Sequence, residues 1–499
     1  MFKRILVANR GEIAVRIIRA AREMGIETVA IYHEVDKKST FVHYADYAYE
    51  LKAETPKNAY LDIDQIVETA KKSRAEAIHP GYGFLSERAA FSKAVTEAGM
   101  KFIGPKPFAI DVMGNKTKAR ELMAKAGVPI VPGTKQKIIE IDEAFIIAKE
   151  IGYPILLKAA AGGGGKGMRK VESDADFVSS FEAAQREAIK AFGDDAIYIE
   201  KYIENPKHIE IQVIADGHGN YVHLGERDCS IQRRHQKVIE EAPSTVLDEE
   251  LRHQMGEVAL DAARACDYIN AGTVEFLLDK NKNFYFLEMN TRLQVEHPVT
   301  EMVTGIDLAK EQISIAYGNE LSFAQEDIKW NGHAIECRIY AEDPFNNFLP
   351  DTGTITYLRR PGGKGVRIDS GVEQGSEITI HFDPMLGKLI IWGRDRIEAV
   401  NRMERALMNY RIKGIKTCIP FELAVMQHHD FRYGYFDTSF IENAFDFAAL
   451  DRMKEESEEF IAAIAAFGFQ KMQNDEIRQS FEPKINKWKE RQLLLMRMV

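Results

Sequence analysis

The 499-residue sequence predicts a multidomain protein of mixed α/β and α+β class. Three observations carry that prediction. Strand–helix–strand units open the chain, a long β-rich stretch covers residues 208–300, and a later block (331–446) alternates strands with Gly/Pro turns before a helix beginning near Arg396. At roughly 100–200 residues per domain, three or four domains are expected. Hydrophobic residues make up 45% and charged residues 28%, an ordinary globular mixture with material for buried cores.

Residues 4–8 read as a buried strand, followed by a turn at Asn9-Arg10-Gly11. Ile13, Val15, Ile17, Ile18 and Ala21 then recur with mostly helical spacing until Gly25, and Thr28–Tyr32 is the next strand. Such a unit implies parallel strands joined by a right-handed crossover. Its first turn lacks G-x-G-x-x-G, which argues against a dinucleotide-binding dehydrogenase. Strands at Glu76–Ile78 and Met100–Ile103 extend the pattern. After Gly127-Val128-Pro129 the texture changes, with strands at Tyr153–Ala159 and Ala196–Ile203. From about Asp451 the sequence is charged and helical in period, interrupted at Pro483. The expected domains are 1–115, 116–330, 331–447 and a helical extension over 448–499.

Asp+Glu 76 exceed Lys+Arg 66, a net charge of -10. A duplex-binding protein shows a basic footprint, so nucleic acid is not an expected partner, although a local cationic pocket is compatible with this balance. Cys229, Cys266, Cys337 and Cys418 form no C-x-x-C pair, which supports neither a zinc site nor a disulfide framework. Solitary thiols suit a reducing cytosol. The first apolar run, Ile5–Ala8, is too short for a signal peptide, and no segment approaches the ~20 apolar residues of a membrane span. The expected location is cytoplasmic, with no membrane partner.

The run Gly162-Gly163-Gly164-Gly165-Lys166-Gly167 follows a strand containing Lys158. Consecutive glycines let backbone N–H groups turn toward an anion and let phosphate approach without hindrance from Cβ. A Walker A loop is excluded, because Gly167 follows Lys166 and Ala160 stands at the first glycine position. A flexible linker is the alternative. Lysines on both flanks, with Lys116 as a third cation, favour phosphate.

From Glu288 every second residue is polar: Glu288, Asn290, Arg292, Gln294 and Glu296. If extended, this stretch lines one face with all five. The midpoint between Glu275 and Glu288 falls inside the turn Asp279–Asn283, so a symmetric hairpin sets them opposite each other. Facing carboxylates repel unless a cation lies between them. A hard ion such as Mg²⁺, shared with nucleotide phosphates and helped by Asn290, is the natural occupant. The alternative is an ordinary strand with a wet face.

Two of these segments, Tyr153–Lys158 with its glycine loop and Leu287–Leu293, resemble ATP-grasp signatures. His79–Glu87, Lys207–Gln212, Glu226–Lys237 and Arg292–Pro298 resemble biotin carboxylase, the ATP-dependent half of biotin-dependent carboxylases, and the resemblance spans about residues 1–447. It implies an N-terminal Rossmann-like pre-ATP-grasp domain, an ATP-grasp domain with a mobile lid (about 131–203), and a C-terminal biotin carboxylase domain. The cofactors implied are ATP, Mg²⁺ or Mn²⁺, and biotin on a partner carrier protein.

The resemblance also implies roles. Lys116 and Lys158 would hold phosphates beneath Gly163, Gly164 and Gly165. Glu200, Lys201, Tyr202 and Ile203 would meet adenine, and His208, Gln232 and His235 would lie beside ribose and phosphates. Glu275, Glu288 and Asn290 would bind metal. Bicarbonate would sit against Lys237, Arg292, Gln294 and the Val295 N–H, with Glu296 as general base. The carboxyphosphate so formed would release CO2 and phosphate, and the phosphate would deprotonate biotin. Arg338 would stabilise the enolate oxygen of biotin, with Tyr82 and Asp383 on the biotin side.

A biotin-accepting lysine sits in Met-Lys-Met, whereas this chain has Met496-Arg497-Met498. The expected partners are therefore a separate biotinyl carrier and a carboxyltransferase subunit, and the family suggests a homodimer. Two-subunit pyruvate carboxylase is favoured slightly over acetyl-CoA carboxylase as the parent, because minimal biotin carboxylases of the acetyl-CoA kind look as if they end near residue 450; the added segment 451–499 could dock a partner subunit. That segment could equally pack on its own chain. The competing readings are another ATP-grasp carboxylate–amine ligase and a non-catalytic ATP-binding regulatory subunit.

Overall fold

Ile5, Leu6 and Val7 are fully buried. Their strand β1 (Arg4–Val7) lies at the centre of a five-stranded parallel sheet with β2 (Glu27–Tyr32), β3 (Tyr47–Glu50), β4 (Ala77–His79) and β5 (Lys101–Phe102), in the order β3-β2-β1-β4-β5. A strand covered on both faces reads as a continuous apolar run, as Ile5–Ala8 does. The helix Gly11–Glu23 crosses from β1 to β2 and buries Ile13, Ile17, Ile18 and Ala21. Edge strand β3 is half-exposed and has no apolar alternation, so the sequence pattern does not signal it. Strand order reverses between β1 and β4, where open α/β sheets gather ligands at the carboxyl ends of their strands. Asn9, just past β1, donates to the carbonyls of Pro80 (2.7 Å) and Tyr82 (2.8 Å) just past β4.

The structure is a computed structural model describing residues 1–134, 138–159, 168–192, 195–448, 450–452, 455, 459 and 462–471. A small antiparallel sheet follows the first domain: β6 (Ile155–Ala159), β7 (Met168–Val171) and β8 (Ile197–Lys201), in the order β7-β6-β8. Helices Ile141–Ile151 and Asp174–Phe192 close its core through Ala144, Ala148, Phe177 and Phe181. Gly163, Gly164 and Gly165 lie outside the described residues.

The largest sheet has eight antiparallel strands. These are β9 (Lys207–Ala215), β10 (Tyr221–Arg233), β11 (Gln236–Ala242), β12 (Asn270–Leu278), β13 (Phe284–Asn290), β14 (His333–Tyr340), β15 (Val366–Ser370) and β16 (Met385–Gly393). Their order is β13-β12-β9-β10-β11-β14-β16-β15, so the sheet runs without a break across residue 331. Along β9, Ile209, Ile211 and Val213 join the core formed with Leu251, Met255 and Ala259 of helix Glu249–Ala265. Alternation turns His208, Glu210 and Gln212 to the opposite face. That helix starts where Asp248 accepts from the Leu251 N–H at 2.9 Å, and Glu249 and Glu250 fill its first turn, where negative charge is favoured.

Residues 1–445 form one compact unit and 446–499 a second, in which 462–471 are helical. Among the described residues no helix is long and apolar enough to cross a membrane. All four cysteines are buried free thiols.

One expectation is corrected. The polar alternation does not continue as a strand to Glu296: β13 ends at Asn290, and residues 291–296 turn into helix His297–Thr304. The sharp change of direction precedes Pro298, which is tolerated in a first helical turn but not in a central strand.

Candidate active site

Three carboxylates stand in a row across neighbouring strands, with Glu210 of β9 opposite Glu275 of β12, and Glu275 opposite Glu288 of β13. The expected Glu275–Glu288 pairing is present, although the ladder shifts register between Glu275 and Phe276. Like charges in register require a cation, and Lys237 of β11 supplies it. Its ammonium donates to Glu210, to Glu275 (2.8 Å) and to Glu296 (2.7 Å). Burial opposes that charge, but the three carboxylates outweigh it and hold the lysine pKa well above its usual value. His208 pairs with Glu275 at 2.7 Å through Nε2, while its Nδ1 lies 3.0 Å from the Gln232 amide. Burial would raise the Glu275 carboxyl, yet Lys237 and His208 keep it well below the carboxylate range. Glu288 goes the other way: burial first, then Glu275, pushes its carboxyl up, against weaker opposing pulls from Lys116, Lys237 and His208.

Arg227 reaches this row because of a bulge. The β9–β10 ladder pairs His223 with Val213, then shifts by one residue and pairs Arg227 with Glu210. Without the shift Arg227 would share the helix-facing side with His223. Instead its fully buried guanidinium bonds Glu210, Gln212 (2.7 Å), Thr300 (3.0 Å), Thr273 (3.1 Å) and Gln294 (2.6 Å).

Beyond β13, the turn brings Glu296 between two cations. Lys237 holds one oxygen and Arg338 Nη2 the other at 2.8 Å, while Arg338 Nε donates to Glu240 at 2.6 Å. Burial favours protonation of Glu296, but Lys237, Arg338 and Arg227 depress its pKa far below the usual range. Glu240 goes the other way, to about 7, because burial outweighs Arg338 and Glu296 adds repulsion. Arg292 donates to Glu87 (3.0 Å) and Asn290 (2.9 Å), and Gln294 donates to Glu275 (2.8 Å). The Val295 carbonyl accepts from Lys388 at 2.6 Å. Lys388 also lies 3.3 Å from Glu12, to which the Tyr82 hydroxyl donates.

The remaining predicted residues are distributed differently. Lys116 opens helix Lys116–Lys125, exposed and close enough to Glu288 to act on its charge. Lys158 and Arg120 both donate to Glu200. Lys201 turns to the Gly152 and Tyr153 carbonyls (2.8 Å each), and Tyr202 lies beneath Lys170. Ile203 is half-buried just past β8. His235 is exposed at the β10–β11 turn, and Asp383 is exposed and caps the Met385 N–H at 2.9 Å.

Sequence reasoning gave no role to Glu210, Arg227, Glu240, Lys388, Glu12 or Glu87. Glu210 was detectable as the middle of three same-face polar residues, His208, Glu210 and Gln212. Lys388 was detectable as a lone lysine between apolar Leu386 and Leu389. The bulge that re-aims Arg227 has one local signal, the lone Gly225 within the strand, and alternation alone does not reveal it.

The donor set fits a hard divalent ion. Glu275 and Glu288 face each other, Asn290 is adjacent, and the raised Glu288 carboxyl marks negative charge that a cation would compensate.

Three sequence families match in succession: the biotin carboxylase N-terminal domain (residues 1–110), the carbamoyl-phosphate synthase L chain ATP-binding domain (115–324) and the biotin carboxylase C-terminal domain (336–443). An ATP-binding core between these flanking domains defines an ATP-dependent ligase. A pyruvate carboxylase subunit of Methanothermobacter thermautotrophicus is 56% identical over 442 residues, 89% of this chain and 90% of that protein. The 2-oxoglutarate carboxylase small subunit of Hydrogenobacter thermophilus is 50% identical over 469 residues, covering 93% and 99%. The solved biotin carboxylase domain dimer of that organism's 2-oxoglutarate carboxylase, in complex with MgADP, ADP and bicarbonate, superposes with a TM-score of 0.81 at 51% identity, covering 89% of this chain and 97% of that one. The chain belongs to the biotin carboxylase family.

Proposed function

We propose that this chain carboxylates biotin carried on a separate protein, using ATP and bicarbonate, as the first half-reaction of a multi-subunit cytoplasmic carboxylase. The observation that carries this reading is the Glu296 carboxylate, held at one oxygen by Lys237 and at the other by Arg338, with Arg292 and Gln294 on the same turn. Glu296 takes the bicarbonate proton. Held by two cations it is a weak base, so bicarbonate that draws on Lys237 loosens one of them and raises the basicity of Glu296 as substrate arrives. Arg292 presents a planar fork to the anion, and Arg338 steadies negative charge on the biotin oxygen. Glu275, Glu288 and Asn290 would hold a divalent ion, which when bound neutralises nucleotide phosphate charge. Lys116 and Lys158 serve the phosphates.

Pyruvate is favoured over acetyl-CoA as final acceptor, supported by the 56% identity to a pyruvate carboxylase subunit. Assembly as a homodimer is supported by the dimeric 2-oxoglutarate carboxylase domain, and a cytoplasmic site by the four free thiols. The test is ATP hydrolysis with and without bicarbonate and free biotin. Dependence on both is expected, and indifference to bicarbonate refutes the reading. Glu296→Ala should abolish turnover and leave ATP binding largely intact; loss of ATP binding would mean that Glu296 has another role.

A further inference from the structure

We infer that His223, His253 and Glu257 form a second metal site, for a divalent ion of the zinc class, on the helix-facing side of the central sheet. One ligating atom from each of the three lies within 4.8 Å of the others. His253 and Glu257 are one helical turn apart on Glu249–Ala265, so both project from the same face. His223 comes from β10, and the register shift that sends Arg227 to the catalytic side leaves His223 on the opposite side.

The imidazole of His223 is held in place. A Cβ at Gly256 would meet its Nε2, Cε1 and Cδ2 at 2.4–2.6 Å, so the ring edge abuts the helix backbone between the positions of His253 and Glu257. Trp330 stacks near the ring with centroids 6.3 Å apart at 19°. His223 is only 2% exposed, and its Nδ1 is buried without a hydrogen-bond partner. A buried histidine normally satisfies its ring nitrogens, so an unpartnered nitrogen on a ring that offers a ligating atom within 4.8 Å of two further ligands points to a missing partner. The nearby Arg252 guanidinium is turned away into Glu226, with bonds of 2.7 and 2.9 Å, which compensates its charge.

Two imidazoles and a carboxylate suit Zn²⁺ or Co²⁺ better than Mg²⁺ or Ca²⁺, and three protein ligands leave a fourth position for water. Ligand bonds of about 2.0–2.2 Å require the three groups to close slightly. Exposed His253 and half-buried Glu257 can do so by side-chain rotation alone. Such an ion would clamp the helix to β10.

The test is Co²⁺ titration of the full chain, with MgADP present to occupy the catalytic cluster, followed by visible absorption and thermal melting. One Co²⁺ per chain with ligand-field bands, displaced by Zn²⁺, is expected, together with a raised melting temperature. His253→Ala and Glu257→Gln should each weaken uptake by at least about 100-fold, the upper end of what losing an outer partner alone costs. Both should leave metal-free melting and bicarbonate-dependent ATP hydrolysis unchanged. Failure of the parent chain to take up Co²⁺, or equal uptake by either variant, overturns the site.

Discussion

Glu240 and Glu296 share one guanidinium, that of Arg338, and are driven in opposite directions. Glu296 is held far below the ordinary carboxylate range, so its ion pairs stabilise the fold above about pH 4.5, and that contribution is lost as pH falls below it. For Glu240, raised to about 7 chiefly by burial, the folded state binds a proton more tightly than the unfolded chain. Stability therefore declines as pH rises from about 4.5 through 7. Glu240→Gln keeps an acceptor for Arg338 and removes the titration. Its unfolding free energy relative to the parent should improve by about 3 kcal/mol between about pH 5 and 8, an order-of-magnitude figure read from urea titrations across pH. A constant offset across that range would show that Glu240 is ionised throughout.

At the scale of elements, the decisive feature is the bulge in β10, where Gly225 adopts φ +83°. A Cβ there would lie 2.2 Å from the Trp330 indole nitrogen, which itself donates to the Leu224 carbonyl at 2.8 Å. Gly225→Ala combines backbone strain with overpacking and should cost about 2–4 kcal/mol, measured as a lower urea midpoint at unchanged slope. The variant should also lose bicarbonate-dependent hydrolysis, because Arg227 depends on that shift to reach Glu210 and Gln294. Bulges mark the limit of sequence reading here. The helix Gly11–Glu23, the buried run of β1 and the Glu275–Glu288 pairing follow from periodicity and loop symmetry, and the local pattern was enough to locate them. Arg227 follows from one inserted residue that reverses the side chains just after it, and alternation counted along the strand places it on the wrong face. Arg292, Gln294 and Glu296 were found as a group although the strand predicted to align them ends at Asn290. They converge through a turn instead.

At the scale of the whole 1–445 unit the tie is Lys388, which reaches from β16 to the Val295 carbonyl beside Glu296 and to Glu12 on the first helix. One fully buried ammonium thus joins the parallel sheet, the central strands and the later block. A central sheet that crosses residue 331 makes the same connection through the backbone. Burial already raises the Glu12 carboxyl and Lys388 opposes that rise, so Lys388→Met strands a buried acid, apart from the Tyr82 hydroxyl. Breaking one partner of a buried pair costs about 3–5 kcal/mol, whereas replacing both with neutral groups is often nearly neutral. Lys388→Met should therefore lower stability by about that amount, and adding Glu12→Gln should recover most of it. Activity should not recover in parallel, because the Val295 carbonyl still lacks its donor and the turn carrying Gln294 and Glu296 loses its backbone tether. The expected signature of the double variant is near-parent urea stability with a raised KM for bicarbonate. Recovery of both together would make Lys388 a purely structural bolt, and recovery of neither would mean that Glu12 is not the partner that matters.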